Sequence, residues 1–128
     1  DLDNFKQVND NYGHIRGDDV LKHVGVTLRQ FFKFGTDIIG RLGGDEFVIF
    51  MRDVSSINRI KKYCNDLCHE LSKPLNFQED SINITISIGI AIQNNGPDSF
   101  DHLYKCADEA LYEKKKAGKN GFCFYKQS

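Results

Sequence analysis

Two acidic clusters in this chain stand in settings suited to phosphate chemistry. One is Asp45-Glu46, preceded by Gly43-Gly44 and set between the apolar runs Ile38-Ile39-Gly40-Arg41-Leu42 and Phe47-Val48-Ile49-Phe50-Met51. A glycine pair between two β-prone runs signals a tight hairpin, because glycine reaches the positive φ angles that such a turn needs. The carboxylates are then raised on a rigid tip with open space before them, which suits a divalent cation and the phosphates it carries. Taken alone, the pentapeptide Gly43 to Phe47 reads more often as a turn with solvated charges. The other cluster is Asp1-Leu2-Asp3, followed by Asn4-Phe5-Lys6-Gln7-Val8-Asn9-Asp10-Asn11-Tyr12-Gly13-His14, a stretch dense in oxygen ligands and amides. It superficially matches a calcium loop. That loop wants an oxygen ligand fifth, glycine sixth and Glu twelfth, where this chain has Phe5, Lys6 and Tyr12, so the calcium reading fails.

Hydrophobic periodicity supplies the elements that must hold these clusters. Asp18 or Asp19 can open a helix whose apolar positions Val20, Leu21, Val24, Leu28 and Phe31 fall at helical spacing, with Phe34-Gly35 closing it. The hairpin follows, from about Thr36 to Met51. Asp53-Val54-Ser55-Ser56 begins a second helix that runs through about Ser72, ends at Lys73-Pro74 and buries Ile57, Ile60, Cys64, Leu67, Cys68 and Leu71. Ile82, Ile84, Ile86, Ile88, Ile90 and Ile92 alternate with small or polar residues, the period-two pattern of one long strand with one face in the core. Asn94-Asn95-Gly96-Pro97 reads as a turn. Asp98 or Ser99 then caps a third helix carrying Leu103, Cys106, Ala107, Ala110 and Leu111 until Gly118, and Phe122-Cys123-Phe124-Tyr125 is a closing strand. Helices segregated against a mainly antiparallel sheet define an α+β domain.

At 128 residues and 40% apolar content the chain can build one core but not two. A net charge of −1 gives no general attraction to nucleic acid or anionic membrane, so any anionic ligand must be met locally. There is no run of about 18 apolar residues and no signal-peptide pattern. The default is a cytoplasmic domain, with a membrane anchor in the full-length protein left open. Cys64, Cys68, Cys106 and Cys123 form neither a CxxC pair nor a zinc-ribbon spacing and read as reduced thiols behaving as small hydrophobes. Cys68-His69 as half of a metal site is the minority reading. Asn83-Ile84-Thr85 matches a glycosylation acceptor but lies in the alternating strand, and is discounted.

Four separated motifs carry a resemblance. Asp1-Leu2-Asp3-x-Phe5-Lys6-x-Val8-Asn9-Asp10-x-Tyr12-Gly13-His14-x-x-Gly17-Asp18, then Arg41-Leu42-Gly43-Gly44-Asp45-Glu46-Phe47, then Ser87-Ile88-Gly89-Ile90-Ala91, then Ala107-Asp108-Glu109-Ala110-Leu111-Tyr112-x-x-Lys115-x-x-Gly118-Lys119-Asn120 closely resemble the GGDEF family of diguanylate cyclases. The resemblance runs from the first residue almost to the last. It starts inside the pattern: family members usually carry a strand leading into the Asp1 position, and before it a helix and loop. Residues 1–128 therefore read as one GGDEF domain lacking its usual start, and the isolated chain is expected to be a poor cyclase. The resemblance sharpens the fold to the palm-like, mainly antiparallel sheet shared with class III nucleotide cyclases and polymerases.

The same resemblance implies that two GTP molecules, one on each subunit of a homodimer, are joined into cyclic di-GMP, with an upstream sensory or dimerising domain and no nucleic acid involved. It makes Asp1, Asp45 and the main-chain carbonyl of Leu2 ligands for magnesium, with manganese an alternative; hard oxygen donors match that ion's octahedral preference. Asp3 falls beside them, read evenly as metal-linked or as a structural carboxylate. Asp45 and Glu46 compete for the role of base, Asp45 being favoured as nearest the reacting phosphate. Lys6, with main-chain donors around Phe5, matches contacts to the β and γ phosphates, and Lys115 and Lys119 match two more phosphate contacts; each lysine's bland reading is a solvated surface charge. Asn9 and Asp18 correspond to guanine readers, and adenine would leave the carboxylate unpaired. His14 matches a nucleotide-adjacent position, or is a packed or capping histidine. One departure concerns regulation. Many members carry Arg-x-x-Asp before the glycine pair as a product-binding inhibitory site, and here the tetrad is Phe34-Gly35-Thr36-Asp37, so weak or absent inhibition is expected there. The second function class is a GTP-binding or protein-docking module without turnover. The third, a nucleotidyltransferase on nucleic acid, lacks the basic stripe it would need.

Overall fold

A computed structural model of the chain describes residues 1–32, 37–52, 56–93 and 99–126. Its elements, in chain order, are β1 (Leu2–Asp3), α1 (Phe5–Tyr12), α2 (His14–Phe31), β2 (Ile38–Gly43), β3 (Glu46–Phe50), α3 (Ile57–Leu71), β4 (Leu75–Phe77), β5 (Asp80–Ile82), β6 (Thr85–Ile90), α4 (Phe100–Lys116) and β7 (Gly121–Phe124). This is the expected α+β arrangement. Strand β6 is central to one sheet, with β1 antiparallel on one side and β7 on the other. β2–β3 and β4–β5 are separate antiparallel hairpins.

The core forms where the apolar periodicities meet. Val20, Leu21, Val24 and Leu28 from α2, Leu67 and Leu71 from α3, and Leu2, Ile82, Ile84 and Ile86 pack together as fully buried side chains. Each such side chain contributes roughly 1.5–3 kcal/mol over its exposed state. Ser56 and Ser99 accept hydrogen bonds from the backbone N–H groups of Arg59 and His102 and so cap α3 and α4. Arg16 ties α2 to the β4–β5 hairpin, its Nε donating to Asp80 Oδ2 at 2.9 Å while Nη1 meets Asp19 at the same distance. Among the described residues no helix is long and apolar enough to cross a membrane.

Two expectations need correction, and one strand direction that the sequence left open is added. Residues 5–12 form a helix, and α2 starts at His14, not at Asp18 or Asp19. Gly13, at φ 88°, separates the two helices: its N–H closes α1 on Asn9 O, and its carbonyl opens α2 by accepting from Gly17 N. The long strand is broken, since the chain leaves the β4–β5 hairpin at Ile82 and enters the central sheet at Thr85. Ile82, Ile84 and Ile86 are buried all the same, so the alternation located the core face but not the break. Finally, β7 runs parallel to β6, with α4 as the crossover between them. The expectations placed on Phe34-Gly35-Thr36, Asp53-Val54-Ser55 and Asn94-Asn95-Gly96-Pro97-Asp98 lie outside the described residues, and with them most of the inhibitory tetrad.

All four cysteines are free. Burial pushes the Cys64 thiol up to about 12, which leaves it protonated and inert at neutral pH. Thr85, the acceptor-pattern hydroxyl, is committed to a hydrogen bond with Asp3.

Candidate functional site

The hairpin tip folds as its glycines require. Gly43 and Gly44 have φ values of 127° and 50°, and a Cβ at either would meet nothing within 4 Å, so conformation and not crowding demands glycine here. The register shifts between Arg41 and Gly43, and Arg41 Nε donates to Gly44 O at 3.0 Å, fastening the turn. The tip is docked beside β1, because Leu2 N donates to Asp45 O at 3.2 Å. The two acidic clusters of the sequence therefore meet.

At this junction Asp1 Oδ1 is buried and has no hydrogen-bond partner among the described residues, while Oδ2 lies 3.5 Å from Lys115 Nζ. A buried carboxylate oxygen left without a donor costs about 1–3 kcal/mol, a penalty that a cation at the site would relieve. The donor set of Asp1, Asp45 and the Leu2 carbonyl is all oxygen, which fits a hard divalent ion. Among the described residues there is no cluster of three or more His, Cys, Asp or Glu side chains that could hold a metal, so such an ion would need the carbonyl, water or phosphate to complete its shell.

Asp3 does something different. Only 2% exposed, its carboxylate accepts from Ser87 Oγ at 2.7 Å, Thr85 Oγ1 at 2.6 Å and Asn120 N at 3.1 Å, with Lys115 Nζ 3.5 Å away. Burial pushes this carboxyl up, but the three hydrogen bonds together with Lys115 outweigh it and hold the pKa below the ordinary carboxylate value. Of its two earlier readings the structural one fits this geometry. Asp3 binds β1 to β6 and to the turn after α4, the turn that carries Lys119. Lys119 Nζ in turn donates to Asn4 Oδ1 at 3.0 Å, at the head of α1. Lys115 and Lys119 thus stand on the acidic edge, each now paired with protein oxygens.

Glu46 follows Asp45 but turns toward α4, where the Tyr104 hydroxyl donates to Glu46 Oε1. That bond pushes the Tyr104 phenol up to about 12. The sequence reading did not single out Tyr104, whose only signal was a polar-tipped aromatic at helical spacing from Phe100, Ala107 and Leu111. Thr85 and Ser87 entered the sequence reading only through a glycosylation pattern and a family motif, although two hydroxyls spaced two apart on a strand share one face and could have announced a buried acceptor.

The proposed base-reading residues lie on α1 and α2. Gly17 is buried, and a Cβ there would fall 2.0 Å from Asn9 Oδ1, 3.1 Å from Asn9 Cγ and 3.3 Å from Phe5 Cζ. The Asn9 amide therefore occupies the space that Gly17 leaves open, next to the exposed Asp18. Asp18 also borders a cavity of about 650 Å³ between α2 and the hairpin, shared with Lys22, Arg29, Asp37 and Arg41. Lys6 and His14 are exposed and Phe5 is half-buried. Gly17→Ala is expected to leave stability within about 1 kcal/mol, because alanine favours a helix and the Asn9 amide can swing away. The ligand that Asn9 is expected to contact should then show a KM about tenfold higher, through loss of one hydrogen-bonding position. Steady-state kinetics and thermal melts on the same preparation check both halves.

Comparison with known proteins agrees with this geometry. The family model described as "Diguanylate cyclase, GGDEF domain" matches residues 1–121. The bifunctional diguanylate cyclase/cyclic di-GMP phosphodiesterase MucR of Pseudomonas aeruginosa is 37% identical over 128 residues, covering 100% of this chain and 18% of MucR. Diguanylate cyclase A of Treponema denticola is 34% identical, covering 94% of this chain and 32% of the relative. The chain thus spans a third or less of the length of these relatives. Among solved structures, the active GGEEF domain of a diguanylate cyclase from Vibrio cholerae superposes with a TM-score of 0.88 at 29% identity, over 100% of this chain and 80% of that one.

Proposed function

The chain belongs to the GGDEF diguanylate cyclase family, and from that premise we propose that it condenses two GTP molecules into cyclic di-GMP with release of two pyrophosphates. The observation that carries the reading is the docking of the Asp45 turn onto β1 through Leu2 N and Asp45 O, beside the partnerless oxygen of Asp1. In each half-reaction a ribose 3′ oxygen forms a bond to the α-phosphorus of the other GTP, the bond to the pyrophosphate breaks, and the hydroxyl proton passes to a carboxylate. Asp45, at the tip, is our choice for that acceptor. Asp1, Asp45 and the Leu2 carbonyl would hold magnesium, or manganese in its place, and the ion when bound supplies positive charge to the triphosphate.

The chain's own residues do the rest. Lys115 and Lys119, with Lys6 and the backbone at Phe5, neutralise the leaving phosphates; a lysine on this edge can exchange a protein oxygen for a phosphate oxygen without moving its stem. Asn9 and Asp18 select guanine, with His14 beside the nucleotide. Each copy holds one GTP, so the reaction belongs to a homodimer in which two loaded sites face each other. Incubating the protein with GTP and magnesium, then resolving products by chromatography, tests the reading. Cyclic di-GMP sustains it, whereas GTP binding without product favours a regulatory module.

Base selection has its own test. Asp18→Ala is expected to cut the preference for GTP over ATP by about tenfold or more, since the carboxylate is the group that adenine leaves unpaired. Selectivity equal to that of the unaltered protein would remove Asp18 from the base pocket.

A further inference from the structure

Tyr104 lies outside all four motifs, yet it makes a direct side-chain contact with one of the hairpin carboxylates. It stands on α4, one turn after Phe100, and the two rings stack with centroids 6.2 Å apart at 22°. The stack fixes the direction of the ring, and the hydroxyl at its far end donates to Glu46 Oε1 across 58 residues of sequence. Glu46 is thereby turned to α4 while its neighbour Asp45 remains at the docked turn.

We propose that Tyr104 is a positioning residue for the cyclase reaction, holding the Glu46 carboxylate against α4 by its hydroxyl and so setting the orientation of the Asp45-Glu46 tip. The inference rests on the cyclase reading. Its logic is geometric: Glu46 opens β3 and follows the turn residue Asp45 directly, so anchoring the Glu46 side chain limits how the backbone of the tip can be set. A bond to an ionised acceptor is among the stronger hydrogen bonds available for the task.

Tyr104→Phe keeps the ring and its stacking and removes only the hydroxyl. It is expected to lower kcat about tenfold while KM for GTP stays within about twofold, because the tip and not the nucleotide pocket is disturbed. The contact itself is read by a double-mutant cycle in Tm. Tyr104→Phe should lower Tm by about 4 °C in the unaltered protein and leave it unchanged in a Glu46→Ala background. Equal Tm shifts in the two backgrounds overturn the contact, and coupled shifts with kcat unchanged overturn the positioning role and leave a merely structural bond. Absence of cyclic di-GMP from the unaltered protein overturns the cyclase reading and the positioning role with it, and coupled Tm shifts in that case identify the reading, not the contact, as what failed.

Discussion

Asp45→Ala is expected to abolish cyclic di-GMP formation, with turnover reduced by at least about 10²–10³-fold, while far-UV circular dichroism and Tm stay close to those of the unaltered protein. The asymmetry follows from where the residue sits. Its backbone carbonyl, which receives Leu2 N, survives the substitution, so the tip stays docked on β1. Its side chain stands in a turn outside the core, and truncating it removes no packed apolar group. What is lost is one of the carboxylates at the junction and, with it, the group proposed above as proton acceptor. Glu46→Ala is expected to share the loss of synthesis, with the difference that it also leaves the Tyr104 hydroxyl without its partner. Cyclic di-GMP measured by chromatography beside a thermal melt decides the matter. Product formed at near-normal rates by either variant would remove that residue from the reaction.

Gly89→Ala has the largest expected effect on stability. A Cβ at this position would lie 2.1 Å from Ala107 O, 2.4 Å from Leu111 N and 2.8 Å from Leu111 Cβ. Two of those atoms are backbone and belong to a helix that cannot yield locally, so α4 as a whole must move off β6. Overpacking of this kind costs about 3 kcal/mol or more, which corresponds to a fall in Tm of about 10 °C or more. Activity should fall with it, because α4 carries Tyr104 and Lys115 to the acidic edge. Gly40→Ala is the control: a Cβ there meets nothing within 4 Å, and its Tm should move by no more than about 2 °C. A Gly89→Ala protein that melts with the unaltered one would show that β6 and α4 do not approach this closely.

Much of the site was readable because the backbone constrains it locally. A glycine pair between β-prone runs admits few conformations, so the hairpin and its raised carboxylates followed from residue types alone. The serine caps and most of the buried stripe of α3 were equally local, although Ile57, expected to open that stripe, is exposed at the first position of the helix. Helix α1 was not, because Asn9, Asp10 and Asn11 are weak helix formers, Asn4 gives it no side-chain cap, and only Val8 is fully buried. Its helicity comes from packing on α2, which no local pattern announces. The break between Ile82 and Thr85 was hidden for the opposite reason: the alternation of buried isoleucines continues through it. The parallel pairing of β7 and the Tyr104 bond depend on segments that meet only in the folded chain.

The Asp3 carboxylate also bears on the order in which this protein becomes functional. Its partners Thr85, Ser87 and Asn120 lie 82, 84 and 117 positions away in sequence. Contacts of such separation must bear the entropy of closing long loops before they return any stability, so they form late in folding. During synthesis Asp3 emerges 117 residues ahead of Asn120, which lies in the turn that completes its surroundings. A chain not yet made as far as that turn therefore has the acidic side chains of β1 but no assembled edge, and Asp3 joins β6 to the turn after α4 in the closing step of folding.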